Sequence, residues 1–246
     1  MDGVVEQIIY YMWKCRPELV SFGVMLISLA FLEFFFRLAG KSGLCAYNCI
    51  AVCLANIQVL HVTKYDVFSV PIPLGTVLFT TTFLSNNMIS AKYGPSEANK
   101  SVLLSFVAYA FFSISLILSL MHKPVQGDAF LQESYQNYLA MKRLFTPSLR
   151  ILCASFIAFL FSQFFNVLIF KRVSRTQLNK SVLNFISVSV SGLLDNLVFS
   201  SLAFYFWGPI RPSLSTLFGG YVLETTVIRC AVALVFVVVF RRRMVQ

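Results

Sequence analysis

The sequence predicts an all-α integral membrane protein, and three observations support this prediction. The chain of 246 residues is 58% hydrophobic and only 12% charged. Its mean hydropathy is +0.77, and a soluble domain of this length does not hide so much apolar surface. The charged residues fall mainly in short segments between long apolar runs, as in multi-pass membrane proteins. The lipid bilayer is therefore the expected environment of most of the surface.

Seven apolar runs are long enough to cross a bilayer as a helix, which takes about 20 residues. They are Leu19–Leu38, Leu44–Val62, Ile72–Ala91, Val102–Met121, Leu149–Phe170, Val182–Trp207 and Leu214–Phe240. Prolines 71 and 73 open the third run, which predicts either an ordinary helix start or a broken, re-entrant one. The longest connection, 122–146, is expected to contain a short interfacial helix. No soluble domain fits between the runs, so residues 1–246 are predicted to form a single transmembrane domain.

Lysine and arginine predict the orientation. The side that receives Arg37, Lys41, Lys171 and Arg172 carries the larger number of basic residues. The positive-inside rule places that side in the cytoplasm, with the N-terminus outside and the C-terminus inside. The net charge of +10 would suit nucleic acid in a soluble protein. Here the basic residues flank membrane segments and no nucleic-acid motif is present, so no nucleic-acid partner is predicted.

Two opposite charges lie inside the last two apolar runs. Asp195 and Arg229 each cost on the order of 3 kcal/mol at the centre of a membrane helix, so each is expected to face a partner or a cavity. Ser187, Ser191 and Asp195 follow one another at four-residue steps and share a helix face. This stripe predicts either the lining of a ligand cavity or close helix packing in which an arginine holds Asp195.

Amide side chains recur in three other runs. Asn56 lies in the second run, Asn87 directly follows Asn86 in the third, and Gln163 and Asn166 share the fifth. An amide in lipid is unfavourable unless it is hydrogen-bonded. These residues are therefore predicted either to contact a ligand or to bond helix to helix.

Patterns typical of enzymes are missing from the sequence. It contains no HExxH, GxSxG or P-loop pattern, which argues against a protease, a hydrolase or an ATPase. Cys45, Cys49 and Cys53 share a helix face, but no fourth ligand lies at a suitable spacing, so small-residue packing is the interpretation. We therefore predict no enzyme, no metal site and no cofactor.

Glu33 and Arg37, four residues apart, predict a local ion pair.

Three segments resemble the queuosine precursor transporters of the vitamin-uptake-type family. The resemblance runs over roughly residues 44–240 and rests on the order and spacing of degenerate motifs. These are Pro73-Leu74-Gly75 with Phe83-Leu84 and Tyr93-Gly94, then Arg150-Ile151 with Ser162-Gln163 and Asn166, then Ser191-Gly192 with Asp195 and Phe199. It implies a bundle of six core transmembrane helices, similar to the substrate-binding subunits of energy-coupling-factor transporters. Leu19–Leu38 would then be one extra N-terminal transmembrane helix.

The resemblance also implies a function in the bacterial inner membrane. The family is expected to import deazaguanine-type bases, such as queuine and its earlier precursors, for tRNA modification. A homo-oligomer or an energising subunit is left open. The alternatives are a subunit for another small solute or vitamin, and a structural protein whose buried pair has no cavity beside it. The substrate-binding positions implied by the resemblance are Asn56, Asn87, Gln163, Asn166, Asp195 and Arg229.

Three of these positions depart from the family pattern. The family usually has Asp where this chain has Asn87 and Asn166, and Lys where it has Arg229. The loss of two carboxylates favours queuine or another modified base over the earliest precursors. We expect the amides to contact the edges of a flat deazaguanine, Asp195 to accept from its N–H groups, and Phe199 or Tyr205 to stack on it.

Overall fold

The protein is built almost wholly from helices. The computed structural model describes residues 2–125, 127, 129–145, 149–174, 179–206, 213 and 220–244. Two short strands, β1 (Val62–Thr63) and β2 (Ile72–Pro73), pair antiparallel with Val62 opposite Pro73. The helices are α1 (Asp2–Trp13), α2 (Pro17–Gln58), α3 (Thr76–Tyr93), α4 (Pro95–Leu120), α5 (Ala129–Phe145), α6 (Leu149–Val173), α7 (Lys180–Ser200, continued by a π-helical segment Ser201–Phe206) and α8 (Leu223–Met244).

Five helices in the described part of the chain are long and apolar enough to cross a membrane. They are α2, α4, α6, α7 with its π-helical continuation, and α8. The prediction of an all-α membrane protein is thereby confirmed. The helix α3 is not among the five because threonine, serine and asparagine fill much of its length. It is buried on all sides and packs against α2, α4, α6, α7 and α8, which makes it the centre of the bundle.

The long helix α2 folds back on itself. Ala39 and Gly40 have non-helical dihedral angles, and the φ of Gly40 is +55°. The Tyr47 hydroxyl donates to the backbone oxygen of Ser28 at 3.3 Å, although 19 residues of straight helix would separate them by about 28 Å. The arms 17–38 and 41–58 therefore lie side by side, and they correspond to the first two predicted runs.

Several predicted boundaries need correction. The third run is predicted to begin at Ile72 with either an ordinary or a broken helix start, but Ile72–Pro73 is a strand and α3 begins at Thr76. The second run was expected to reach Val62, but its helix ends at Gln58. The boundaries at Trp207 and Leu214 lie outside the described residues. The predicted helix in the connection 122–146 is present as α5, and the Arg37–Glu33 pair is present at 2.8 Å.

The hairpin between α2 and α3 is fastened by two carboxylates. At the start of α2, Glu18 Oε1 accepts from the backbone N–H of Asp66 at 2.6 Å. At the start of α8, Glu224 accepts from the backbone N–H groups of Ser69 and Val70 at 3.0 and 3.1 Å. The segment 59–75 is thus held against two helices at one end of the bundle.

Gly43 allows the two arms of α2 to meet, and its replacement by alanine is expected to destabilise the fold. A Cβ at position 43 would lie 1.9 Å from the backbone oxygen of Phe35 on the other arm. Overpacking of this kind costs about 1–3 kcal/mol, so Gly43→Ala should lower the midpoint of thermal unfolding in detergent. Gly23→Ala is the control, because a Cβ at Gly23 meets nothing within 4 Å. An unchanged midpoint for Gly43→Ala would contradict the packing of the arms.

Candidate functional site

A buried ion pair joins α7 to α8. Arg229 Nη2 donates to Asp195 Oδ2 at 2.5 Å, and the two side chains are only 3% and 11% exposed. The Ser162 hydroxyl on α6 donates to the other carboxylate oxygen, Oδ1, at 2.7 Å. Both oxygens of Asp195 therefore have a donor. Of the two predicted alternatives for these charges, a partner or a cavity, the structure shows the partner.

Arg229 is held on two further sides. A Cβ at Gly192 would lie 2.6 Å from Arg229 Cδ, so the arginine stem passes where only glycine leaves room. The guanidinium carbon lies 5.5 Å from the centre of the Phe83 ring, within the range of a cation–π contact. Among the described residues, none accepts a hydrogen bond from Arg229 Nε or Nη1. The guanidinium is fixed in place and still has N–H groups to offer.

A small cavity lies beside the ion pair. Its volume is about 30 Å³, and about 10–15 Å³ of volume measured in this way suffices for one water molecule. Pockets for small organic ligands measure about 300–1,000 Å³. A small organic ligand can therefore bind here only when the surrounding helices move apart. The cavity is lined by Val59, Pro73, Thr76, Phe79, Ser155, Ala158, Asp195, Asn196, Phe199, Ser200, Tyr221, Thr225 and Arg229.

The cavity lies toward the end of the bundle that carries the hairpin. Its lining includes Pro73 of β2, Thr76 at the start of α3 and Tyr221 just before α8. Farther along α3 and α6, away from the hairpin, come Asn87 and Asn166. Two layers follow one another along the bundle: the cavity with the ion pair, and then a set of amides.

The amide layer consists of Asn87, Asn166, Asn184 and Ser187, which are all buried. Asn166 Nδ2 donates to Asn87 Oδ1 at 2.9 Å. Asn87 Nδ2 in turn donates to Asn184 Oδ1 and to Ser187 Oγ, the latter at 2.8 Å. The structure brings Asn87 and Asn166 together, but they bond α3, α6 and α7 to one another and do not line the cavity.

Gln163 belongs to a second buried network. Asn86 Nδ2 donates to Gln163 Oε1 at 2.8 Å, and Gln163 Nε2 donates to Thr82 Oγ1 at 2.6 Å. Asn48 on α2 donates to Asn86 Oδ1 at 3.0 Å and to Ser101 on α4 at 2.9 Å. The adjacent Asn86 and Asn87 therefore face different partners and do not present one common edge.

Asn56 lies one contact away from the cavity. Its Oδ1 accepts from Ser155 Oγ at 2.5 Å, and Ser155 is a lining residue. Of the six residues predicted to bind substrate, Asp195 and Arg229 line the cavity. The expected stacking residue Phe199 lines it as well, and Tyr205 is not part of the lining.

Sequence reasoning did not assign several lining residues to the site. They come from four helical segments, and their spacing shows only in short pairs: Thr76 and Phe79 lie three residues apart on α3, and Tyr221 and Thr225 precede Arg229 at four-residue steps. Two of them had a weak signal: Asn196 directly follows Asp195, and Thr225 lies one helical turn before Arg229. The unassigned lining residues are Thr76, Phe79, Ser155, Asn196, Tyr221 and Thr225.

Comparison with known proteins connects this geometry to a family. Residues 73–242 match the family described as "Putative vitamin uptake transporter". The chain belongs to this family. The protein named "Probable queuosine precursor transporter" from Bacillus subtilis (strain 168) is 30% identical over 173 residues, which are 69% of this chain and 72% of the relative. No solved structure matches the chain.

Family membership confirms the predicted class of function. The chain is a multi-pass membrane transport protein of the vitamin or queuosine-precursor type and not an enzyme. The matched residues begin at β2 and run through α8. They include the ion pair, the cavity lining except for Val59, and most of both amide networks.

Introduction of a carboxylate into the amide layer should destabilise this chain. In Asn166→Asp, an oxygen replaces the nitrogen that faces Asn87 Oδ1 and the backbone oxygen of Phe83. An uncompensated buried charge costs about 3–5 kcal/mol, so the midpoint of thermal unfolding in detergent should fall markedly. Asn56→Asp is the milder control, because Ser155 donates to the oxygen that remains, only the backbone oxygen of Val52 faces the replaced nitrogen, and the residue is only half-buried. An equal effect of the two changes would contradict the described layer.

Loss of one partner of the ion pair should be worse than loss of both. Asp195→Leu or Arg229→Leu alone leaves a buried charge without its counter-ion, at a cost of about 3–5 kcal/mol, whereas the double change leaves none. The double variant should therefore unfold at a higher temperature than either single variant. Additive losses in the double variant would show that the two charges are not coupled.

Proposed function

We propose that the chain imports a deazaguanine-type queuosine precursor, with queuine favoured, for use in tRNA modification. The observation that carries the proposal is the Asp195–Arg229 pair beside a cavity between the helices of a transport protein. A relative named as a queuosine precursor transporter supports the substrate class. Charges kept inside a membrane bundle typically mark the pathway of a solute or an ion.

The proposed orientation follows from the basic residues and fits inward transport. If the ends with more Lys and Arg face the cytoplasm of a bacterial inner membrane, the hairpin end faces outward. The cavity then lies in the outer half of the bundle, and the amide layer lies in the inner half. In this proposal the solute enters from the hairpin end, and the hydrogen bonds between Asn87, Asn166 and Asn184 form the inner barrier.

The lining residues suit a flat heterocycle once the cavity expands. Phe79, Phe199 and Tyr221 supply aromatic surfaces for stacking, and Ser155 and Thr225 supply hydroxyls. The closed form, with about 30 Å³, and an expanded form would be two states of one equilibrium, and the solute would favour the expanded one. Asn56, Asn87, Gln163 and Asn166 would then act mainly as supports between helices.

A purely structural role is disfavoured by the same site. That alternative predicts a buried pair with no cavity beside it, whereas both members of the pair line a cavity. Membership of a transporter family argues in the same direction.

We propose one transmembrane domain over residues 1–246, in which the arm 17–38 of α2 is the addition to the core.

The test is rescue of queuosine-modified tRNA. The chain would be expressed in a bacterium that lacks its own synthesis and importer and carries a transglycosylase accepting the supplied base. Queuine and the two earlier bases would be supplied separately at low concentration, and modified tRNA would be measured. Rescue by one base is the expected result, and Arg229→Ala should abolish it because the cavity loses its cation.

Arg37→Ala is the matched control for the arginine change. Arg37 is 62% exposed and lies away from the cavity, so rescue should persist in this variant. Each variant would be compared at equal abundance in the membrane. Absence of rescue by all three bases, with the protein present in the membrane, would contradict the proposed substrate class or show that a partner subunit is missing.

A further inference from the structure

We infer that Arg229, and not Asp195, reads the solute, and that it does so through hydrogen-bond acceptors on the solute. Asp195 is then a positioning residue that holds the guanidinium in register. This inference rests on the proposed function and deepens it, because it assigns the recognised edge of the base. It also replaces the sequence-based expectation that Asp195 accepts from the N–H groups of the base.

Arg229 has more N–H donors than the described residues around it have acceptors for. Nη2 is engaged by Asp195, whereas Nε and Nη1 have no acceptor among the residues that the structure describes. The side chain is only 3% exposed, and a guanidinium does not lose its proton in a protein. Buried, charged N–H groups without an acceptor are unfavourable. A site built in this way gains most from a ligand that brings lone pairs.

For Asp195, by contrast, both carboxylate oxygens already have a hydrogen-bond donor. Its Oδ1 already accepts from Ser162 and its Oδ2 from Arg229. Neither oxygen is among the described buried atoms that lack a partner. Its donors come from α6 and α8, so the carboxylate ties the guanidinium to two helices of the cavity wall. Its negative charge is directed at Arg229 and stabilises that side chain in one orientation.

The rest of the arginine is equally constrained. Gly192 leaves the space for its stem, and the Phe83 ring lies against the guanidinium. Such a fixed, planar set of donors suits a carbonyl oxygen with its two lone pairs. In a deazaguanine the 6-oxo group offers such an oxygen. A 6-amino group at the same place would instead direct its own N–H groups at the N–H groups of Arg229.

The experiment measures binding of three probes to the full chain in nanodiscs. The probes are queuine, its analogue without the 2-amino group, and its analogue with a 6-amino group in place of the 6-oxo group. We expect the first two to bind within about tenfold of each other, since no contact of Arg229 involves the 2-amino group. The 6-amino analogue should bind at least about 100-fold more weakly than queuine, because its amino group leaves the buried N–H groups of Arg229 without an acceptor.

Variants separate the reading residue from the positioning residue. Arg229→Lys should reduce the 6-oxo over 6-amino preference to less than about tenfold, since lysine lacks the planar donors. Asp195→Asn should weaken the binding of queuine and of its 2-desamino analogue by the same factor. The change disorders Arg229, and it removes no contact with the 2-amino group. Ser162→Ala, which removes only the bond to Oδ1, should do the same to a smaller extent and serves if Asp195→Asn does not fold.

Two results would overturn the inference. One is a 2-amino preference that Asp195→Asn or Ser162→Ala abolishes, which would place Asp195 in direct contact with the base. The other is a 6-oxo preference that survives Arg229→Lys unchanged. Both leave import of the base intact. Failure of the folded wild-type chain to bind any of the three probes would instead overturn the proposed function together with the inference.

Discussion

The ion pair between Asp195 and Arg229 is the interaction on which the rest of the site depends. Neither charge is tolerable alone in an apolar bundle, so each fixes the position of the other. The pair joins α7 to α8, and Ser162 adds α6. The helix rotations that bring these side chains together also place Gly192 under the arginine stem and Phe83 beside its guanidinium. Both members of the pair also line the cavity, so the contact that joins α7 to α8 forms part of its wall.

The central helix α3 meets the opposite demand. It is buried on every side, yet its hydroxyl and amide groups need hydrogen-bond partners in the absence of water. Thr80 and Thr82 donate to the backbone of their own helix. Asn86 and Asn87 bond outward to neighbouring helices. A polar helix at the centre of a bundle thus has its hydrogen-bonding groups satisfied by its own backbone and by neighbouring helices, without exposure to lipid.

The sequence reveals those features that depend on composition and on isolated charges. Long apolar runs identify the membrane helices, and two lone opposite charges suffice to predict that Asp195 meets Arg229. Side-chain partners of the amides depend instead on the rotation of each helix. Asn86 and Asn87 are adjacent in the chain but point about 100° apart around α3, and only the packed structure shows which helix each one meets. The strand at Ile72 was missed because a pair of two-residue strands leaves no periodic pattern.

The carboxylate of Glu224 gives α8 a second set of contacts, in addition to the ion pair at Arg229. Glu224 holds the hairpin at Ser69 and Val70, and Arg229 lies little more than one turn farther along the same helix. A rigid displacement of α8 would therefore move the hairpin and Arg229 in the same direction. The hairpin and the ion pair are bonded to the same helix, so their positions are coupled through α8.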